Sequence, residues 1–228
     1  MLEAALHWLG FGLCHQLPAR SFFAGGYQLP VCARDTGIYL WFVVALLVAA
    51  FLDRGRRRTG MPPAWLLGVG FAAVALLGWD GVTSYLGLRP TTNLIRLATG
   101  TGTGFAIALV IVPLLNAQLW KRVSEERVLG SPLEGLLWCV AAPVTFAAAL
   151  WGGPVLGIGY PLVVSAAILV TFTAVNLVLV SLIPRFERSY ERLRDTWPAV
   201  LIAFAVTMLE IGGADWLRLV LLSFVARF

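Results

Sequence analysis

The chain has 228 residues, 59% of them hydrophobic and 13% charged, with a net charge of +5, and its mean hydropathy is +0.84. A soluble domain carries about a quarter charged residues, so this composition excludes one and indicates a protein that crosses a membrane repeatedly. The basic surplus reads as the positive-inside bias of such a protein, and no nucleic-acid partner is expected.

In chain order, Met1 to Leu13 are apolar but too short to cross a bilayer. They lack a basic n-region and a small-residue cleavage site, so they read as a retained interfacial helix. Six spans of about 17 to 26 residues follow, the length that crosses a hydrocarbon core of roughly 30 Å. The first, Thr36 to Leu52, ends at the basic run Arg54 to Arg58. The second, Ala64 to Trp79, opens after Pro62-Pro63 and stops at Asp80-Gly81. The third runs from Leu94 to Trp120, and the fourth, Leu133 to Trp151, is cut by Gly152-Gly153-Pro154. The fifth extends from Leu156 to Ile183. The sixth begins at Trp197-Pro198 and falters at Gly212-Gly213, with Trp216 to Phe228 as a helical tail. In lipid every backbone polar group must be satisfied within its own segment, so the spans are helices. The expected fold is an all-α polytopic membrane bundle forming one domain over residues 1–228, with residues 1–35 as an interfacial loop segment and 36–228 as the bundle.

Orientation follows from charge. Arg54, Arg56, Arg57, Arg58, Lys121, Arg122, Arg127, Arg185, Arg188, Arg192 and Arg194 fall in the loops after the first, third and fifth spans, eleven of the 17 basic residues. Those loops are therefore expected in the cytoplasm of a prokaryote, with Cys14–Asp35 and Asp80–Arg96 on the extracytoplasmic side. Membrane lipid is the expected partner, along with other membrane-protein subunits.

Two polar stretches interrupt the greasy pattern. The first holds Cys14, His15, Cys32 and Asp35, soft or borderline ligands for zinc or another transition metal, with Asp35 three residues after Cys32 as in a metal knuckle. A Cys14–Cys32 disulfide is the rival in an oxidising compartment, and a Gly/Pro-rich loop that only caps the bundle is the third reading. Cys139, alone in a span, reads as a packing residue. The second stretch holds Asp80, Asn93 and Arg96. Charges at membrane depth are paired, and Asp80 with Arg96 or Arg34 is the expected pairing. The alternative makes them caps, with Asn93 as an N-cap and Arg96 snorkelling to the headgroups. Thr99 to Gly104 lacks the Lys-Ser/Thr ending of a phosphate loop, while Gly100 and Gly104 match the small-residue spacing that admits a neighbouring helix. Glu210 and Asp215 flank Gly212-Gly213, where a broken helix lines a polar cavity or a helix simply ends.

Cys14-His15-Gln16, Pro18, Arg20-Ser21-Phe22, Gly26, Gln28, Pro30 to Arg34 and Thr36 to Tyr39 together resemble the signature of a family of small prokaryotic membrane proteins catalogued as domain of unknown function 2085. A second block, Asp80-Gly81, Gly87-Leu88-Arg89, Asn93, Arg96 and Thr99-Gly100, resembles it in the same order, so the likeness covers about the first 105 residues. The family pattern reads Cys-Ala-Arg-Cys where this chain has Cys32-Ala33-Arg34-Asp35, which implies that a metal or dithiol centre built on that pattern is weakened or lost here. The resemblance implies no established activity. The expected function is a non-catalytic binding or accessory subunit beside a larger membrane complex, lipid or pigment. The alternative is metal binding, redox or small-solute transport at the outer-face Cys-His-Asp site.

Overall fold

The structure is a computed structural model that describes residues 1–225, apart from the side chains of residues 151–154. Arg227 and the end of the expected tail lie outside the described residues. The chain forms an all-α membrane bundle. A short helix α1 (Leu2–Phe11) precedes α2 (Ala33–Asp53), α3 (Ala64–Tyr85), α4 (Asn93–Leu119), α5 (Pro132–Leu156), α6 (Gly159–Ser181) and α7 (Trp197–Val225). Six of these helices are long and apolar enough to cross a membrane. Large apolar side chains stand out from the bundle sides, Phe71 at 76% and Trp79 at 66% exposure among them. Water would penalise that surface and lipid does not.

Three helices outrun their expected ends. α3 continues through Asp80-Gly81 to Tyr85, α5 passes residues 152–154 to reach Leu156, and α7 passes unbroken through Gly212-Gly213. Glycine lowers helix propensity in water, but in lipid a broken helix strands its own amide groups, so the helix persists. The expected break in α7 is therefore absent. Asp215 accepts the Gly12 amide at 2.6 Å, and Glu210 accepts from Asn176 Nδ2 of α6 at 2.7 Å.

α2 and α4 form the centre. Trp41, Phe42, Ala45 and Ala49 pack on Leu97, Phe105, Ala108 and Leu109, with Leu66 of α3 and Trp138 of α5 closing the cluster. Glycines permit the close approach. A Cβ on Gly100 would meet the Arg34 carbonyl and come within 3.0 Å of Gly37 Cα, and one on Gly104 would lie 2.6 Å from the Ile38 carbonyl oxygen. This is the small-residue contact expected of Gly100 and Gly104, and α2 is the partner. Cys139 packs against this cluster.

At the basic end, β3 (Arg58–Gly60) pairs in parallel with β4 (Ser124–Arg127), joining two loops. Arg58 is 3% exposed and grips Glu134 through both nitrogens at 2.7 Å. Glu134 also completes a capping box with Ser131 at the start of α5, which satisfies two amide groups that the first turn leaves free. At the opposite end, β1 (Phe23–Ala24) and β2 (Tyr27–Gln28) make a small antiparallel hairpin.

Candidate functional site

The segment between α1 and α2 is held by side-chain amides. Gln16, in the left-handed region at φ 53°, donates from Nε2 to the carbonyls of His7 and Pro30, both at 2.8 Å. Gln28 Nε2 donates to the Gln16 carbonyl at 2.8 Å and to Ser21 Oγ at 3.1 Å. Arg218 of α7 donates to the carbonyls of Phe11 and Cys14, the latter at 2.6 Å, and its guanidinium lies 4.3 Å from the centre of the Phe11 ring. Those bonds fold the segment back so that Cys14 meets Cys32, the N-cap residue of α2.

The Cys32 amide donates to Cys14 Sγ at 3.3 Å, and Cys32 Sγ donates to Asp35 Oδ2 at 3.2 Å. Both thiols are free and half-buried. The two sulfurs and an Asp35 oxygen lie within 4.8 Å of one another. His15 stands apart from this donor group, exposed where it lines the adjoining cavity. Hydrogen bonding with Cys32 holds the Cys14 thiol below its ordinary value, against the opposing pull of burial. The same pairing, burial and the Asp35 charge push the Cys32 thiol far up.

Asp80, only 1% exposed, anchors the second stretch. Its carboxylate accepts from Arg34 of α2, from Arg89 Nη2 at 2.6 Å and from Thr91 Oγ1 at 2.8 Å. Arg89 returns to the helix because α3 closes in a tight C-terminal turn. Gly87 adopts φ 69°, the Leu88 amide donates to the Thr83 carbonyl at 3.0 Å and the Gly87 amide to Ser84 at 3.4 Å. This is the pattern that glycine's left-handed freedom allows.

Arg96 takes no share in Asp80. It is 8% exposed and bonds Asn93 Oδ1 at 2.9 Å. Of the two partners expected for Asp80, Arg34 bonds it and Arg96 does not, and Arg89 joins Arg34, because the Gly37–Gly100 contact brings the first turn of α2 against α4 while the Gly87 turn redirects Arg89. Asn93 is not the N-cap either. Thr92 caps α4 by accepting the Ile95 amide at 3.3 Å, and Asn93 Nδ2 reaches the carbonyls of Ala19 and Ser21 at 3.3 and 3.4 Å. Burial also rules out a snorkelling Arg96.

One cavity of about 150 Å³ joins the two stretches, lined by Cys14, Cys32, Asp35, Arg20, Arg34 and Arg96 among others. Arg89, Thr91, Gln16 and Gln28 are the structural contributors that sequence reasoning assigned no role. For Gln16, Gln28 and Arg89 the only signal is their presence in the motif blocks, and Thr91 has none, since a loop's return path leaves no periodic trace.

Residues 14–110 match the model of a family described as "Predicted membrane protein (DUF2085)". An uncharacterised protein of Methanocaldococcus jannaschii is 34% identical over 110 residues, covering 48% of this chain and 68% of that relative. The chain belongs to this family of membrane proteins. An uncharacterised protein of Methanothermobacter thermautotrophicus is 33% identical over 98 residues, covering 43% of this chain and 83% of that relative. No solved structure matches. The stretch matched by the family model contains every cysteine, arginine and aspartate that lines the cavity.

Proposed function

We propose that the protein is a binding protein of the prokaryotic cytoplasmic membrane, its cysteine end outside, holding a thiophilic transition-metal ion such as zinc between Cys14, Cys32 and Asp35. One observation carries the reading: two sulfurs and a carboxylate oxygen, from residues 18 apart in the chain and the helix turn that follows, lie within 4.8 Å of one another. Zinc bonds sulfur at about 2.3 Å and carboxylate oxygen at about 2.0–2.2 Å, so a triangle of this size closes with small side-chain rotations. His15, beside the cavity, is the nearest candidate for a fourth ligand. The metal binds thiolates, so affinity falls as pH falls. Cys14, its thiol held low, deprotonates first, and metal entry displaces the proton that Cys32 keeps. The outward placement of the site is supported by the eleven basic residues in the loops at the far end.

Metal analysis of the purified protein tests the site. Stoichiometric zinc in the wild type and none in the Cys14→Ser, Cys32→Ser variant is expected. Equal metal content with Cys14, Cys32 and His15 all replaced would sink the proposal. An impermeant maleimide added to intact cells after mild reduction tests sidedness, since labelling only after lysis reverses the topology.

An accessory role beside a larger membrane complex is a second reading, favoured by Glu210. Its residue is exposed on α7, 13 residues or about 20 Å along the helix from Trp197, and only Asn176 serves its carboxyl among the described residues. Lipid offers a carboxyl no partner at such depth, and a neighbouring helix does. Blue-native electrophoresis of mildly solubilised membranes should show a larger species that Glu210→Leu reduces to the free protein, and migration at the free size in both would remove this reading.

A further inference from the structure

The cavity between the cysteines and the arginines carries unbalanced charge. Arg20, Arg34, Arg89 and Arg96 surround it or abut it, against Asp35 and Asp80. Asp80 is shared by Arg34, Arg89 and Thr91, and Asp35, which accepts from the neutral Cys32 thiol, keeps its charge, so four arginines face two carboxylates. Among the described residues no carboxylate stands within 4 Å of Arg20 or Arg96. Arg96 is more than nine-tenths buried, lines the cavity, and spends one bond on Asn93. Buried charge without a partner is strongly unfavourable, and an anion in the cavity would relieve that cost.

The surrounding structure aims these cations at one place. Asn93 takes the Arg96 guanidinium on its oxygen and fastens the carbonyls on both sides of Arg20 with its nitrogen. The side chain of Arg20 leans over the Tyr85 ring at 5.6 Å, and Tyr85 lines the same cavity. Arg34 Nε is buried with no partner. The cavity, about 150 Å³, has room for a group the size of phosphate. Arginine's planar fork is the side chain best matched to phosphate oxygens.

We infer that this cavity takes a phosphate group, supplied either by free inorganic phosphate or by the headgroup of an anionic phospholipid, with Arg96 and Arg20 as its principal contacts. The site shares its cavity with the cysteine donor group and does not depend on metal occupying it.

Calorimetric titration of the full-length, delipidated protein in detergent tests this, with a chelator present so that the metal reading plays no part. Inorganic phosphate is titrated in one arm and short-chain phosphatidylglycerol, against short-chain phosphatidylcholine, in the other. Saturable binding in the phosphate arm, weakened about tenfold or more by Arg96→Gln, supports the proposal with free phosphate as the source. Binding of phosphatidylglycerol alone, with the same loss, supports it with lipid as the source. Arg20→Gln, on the surface loop, should weaken binding severalfold and guards against a folding defect in the buried variant. No binding in either arm, or affinity unchanged in both arginine variants, overturns the inference.

Discussion

Replacing Asp80 with alanine perturbs the structure where its charge is most concentrated. The carboxylate is 1% exposed and is shared by two arginines while accepting from Thr91. Its removal strands Arg34, whose Nε already lacks a partner, and leaves Arg89 without its anion. Breaking a buried ion pair by removing one member costs about 3–5 kcal/mol. The side chain of Arg34 is 19% exposed and that of Arg89 34%, so Arg89 can turn to water and its share falls to about 0–1 kcal/mol. Most of the loss is thus carried by Arg34. Asp80→Ala should destabilise by about 3–4 kcal/mol, and Asp80→Ala with Arg34→Leu should recover a large part, because the stranded cation is gone. Asp80→Ala with Arg89→Leu should recover little. Reversible unfolding in mixed detergent and dodecyl sulfate micelles, followed through tryptophan fluorescence, gives these free energies. A loss below about 1 kcal/mol for Asp80→Ala, or a double variant with Arg34→Leu that falls to the sum of the singles, would refute the assignment.

The cysteine pair titrates asymmetrically. Cys14's folded value lies below its ordinary 9.0, so its contribution to stability is complete above that value and is lost as pH falls through the folded one. Cys32, raised, works oppositely, its contribution present below 9.0 and lost at higher pH. In metal-free protein near pH 8, iodoacetamide should therefore alkylate Cys14 faster than Cys32; equal rates at both cysteines, read by peptide mass spectrometry, would contradict this. At the helix contact, Gly100→Val drives a side chain into the Arg34 carbonyl and should cost about 1–3 kcal/mol by overpacking. The same unfolding assay checks it, and a change under about 0.5 kcal/mol would mean that α2 and α4 are not so closely packed.

Composition and spacing were enough to define a polytopic helical bundle, because lipid leaves the backbone no alternative and each span carries its own hydrophobic length. The two polar stretches were equally visible, since residues such as Cys14, Asp80 and Arg96 have no reason to sit beside apolar runs unless something satisfies them. What spacing misjudged was where helices stop. Asp80-Gly81 and Gly212-Gly213 read as ends, yet α3 continues because Asp80 finds three partners from other segments, and α7 continues because breaking it would strand amides in lipid. Only tertiary structure decided the partners. Arg34 reaches Asp80 through the contact at Gly37 and Gly100 between α2 and α4, and Arg89 does so through the left-handed turn at Gly87. Cys14 meets Cys32 through the bonds of Gln16, Gln28 and Arg218. Each depends on the relative position of segments distant in the chain, which is set by packing and loop paths. The local sequence encodes how polar a residue is, and the packed bundle selects which other polar residue answers it.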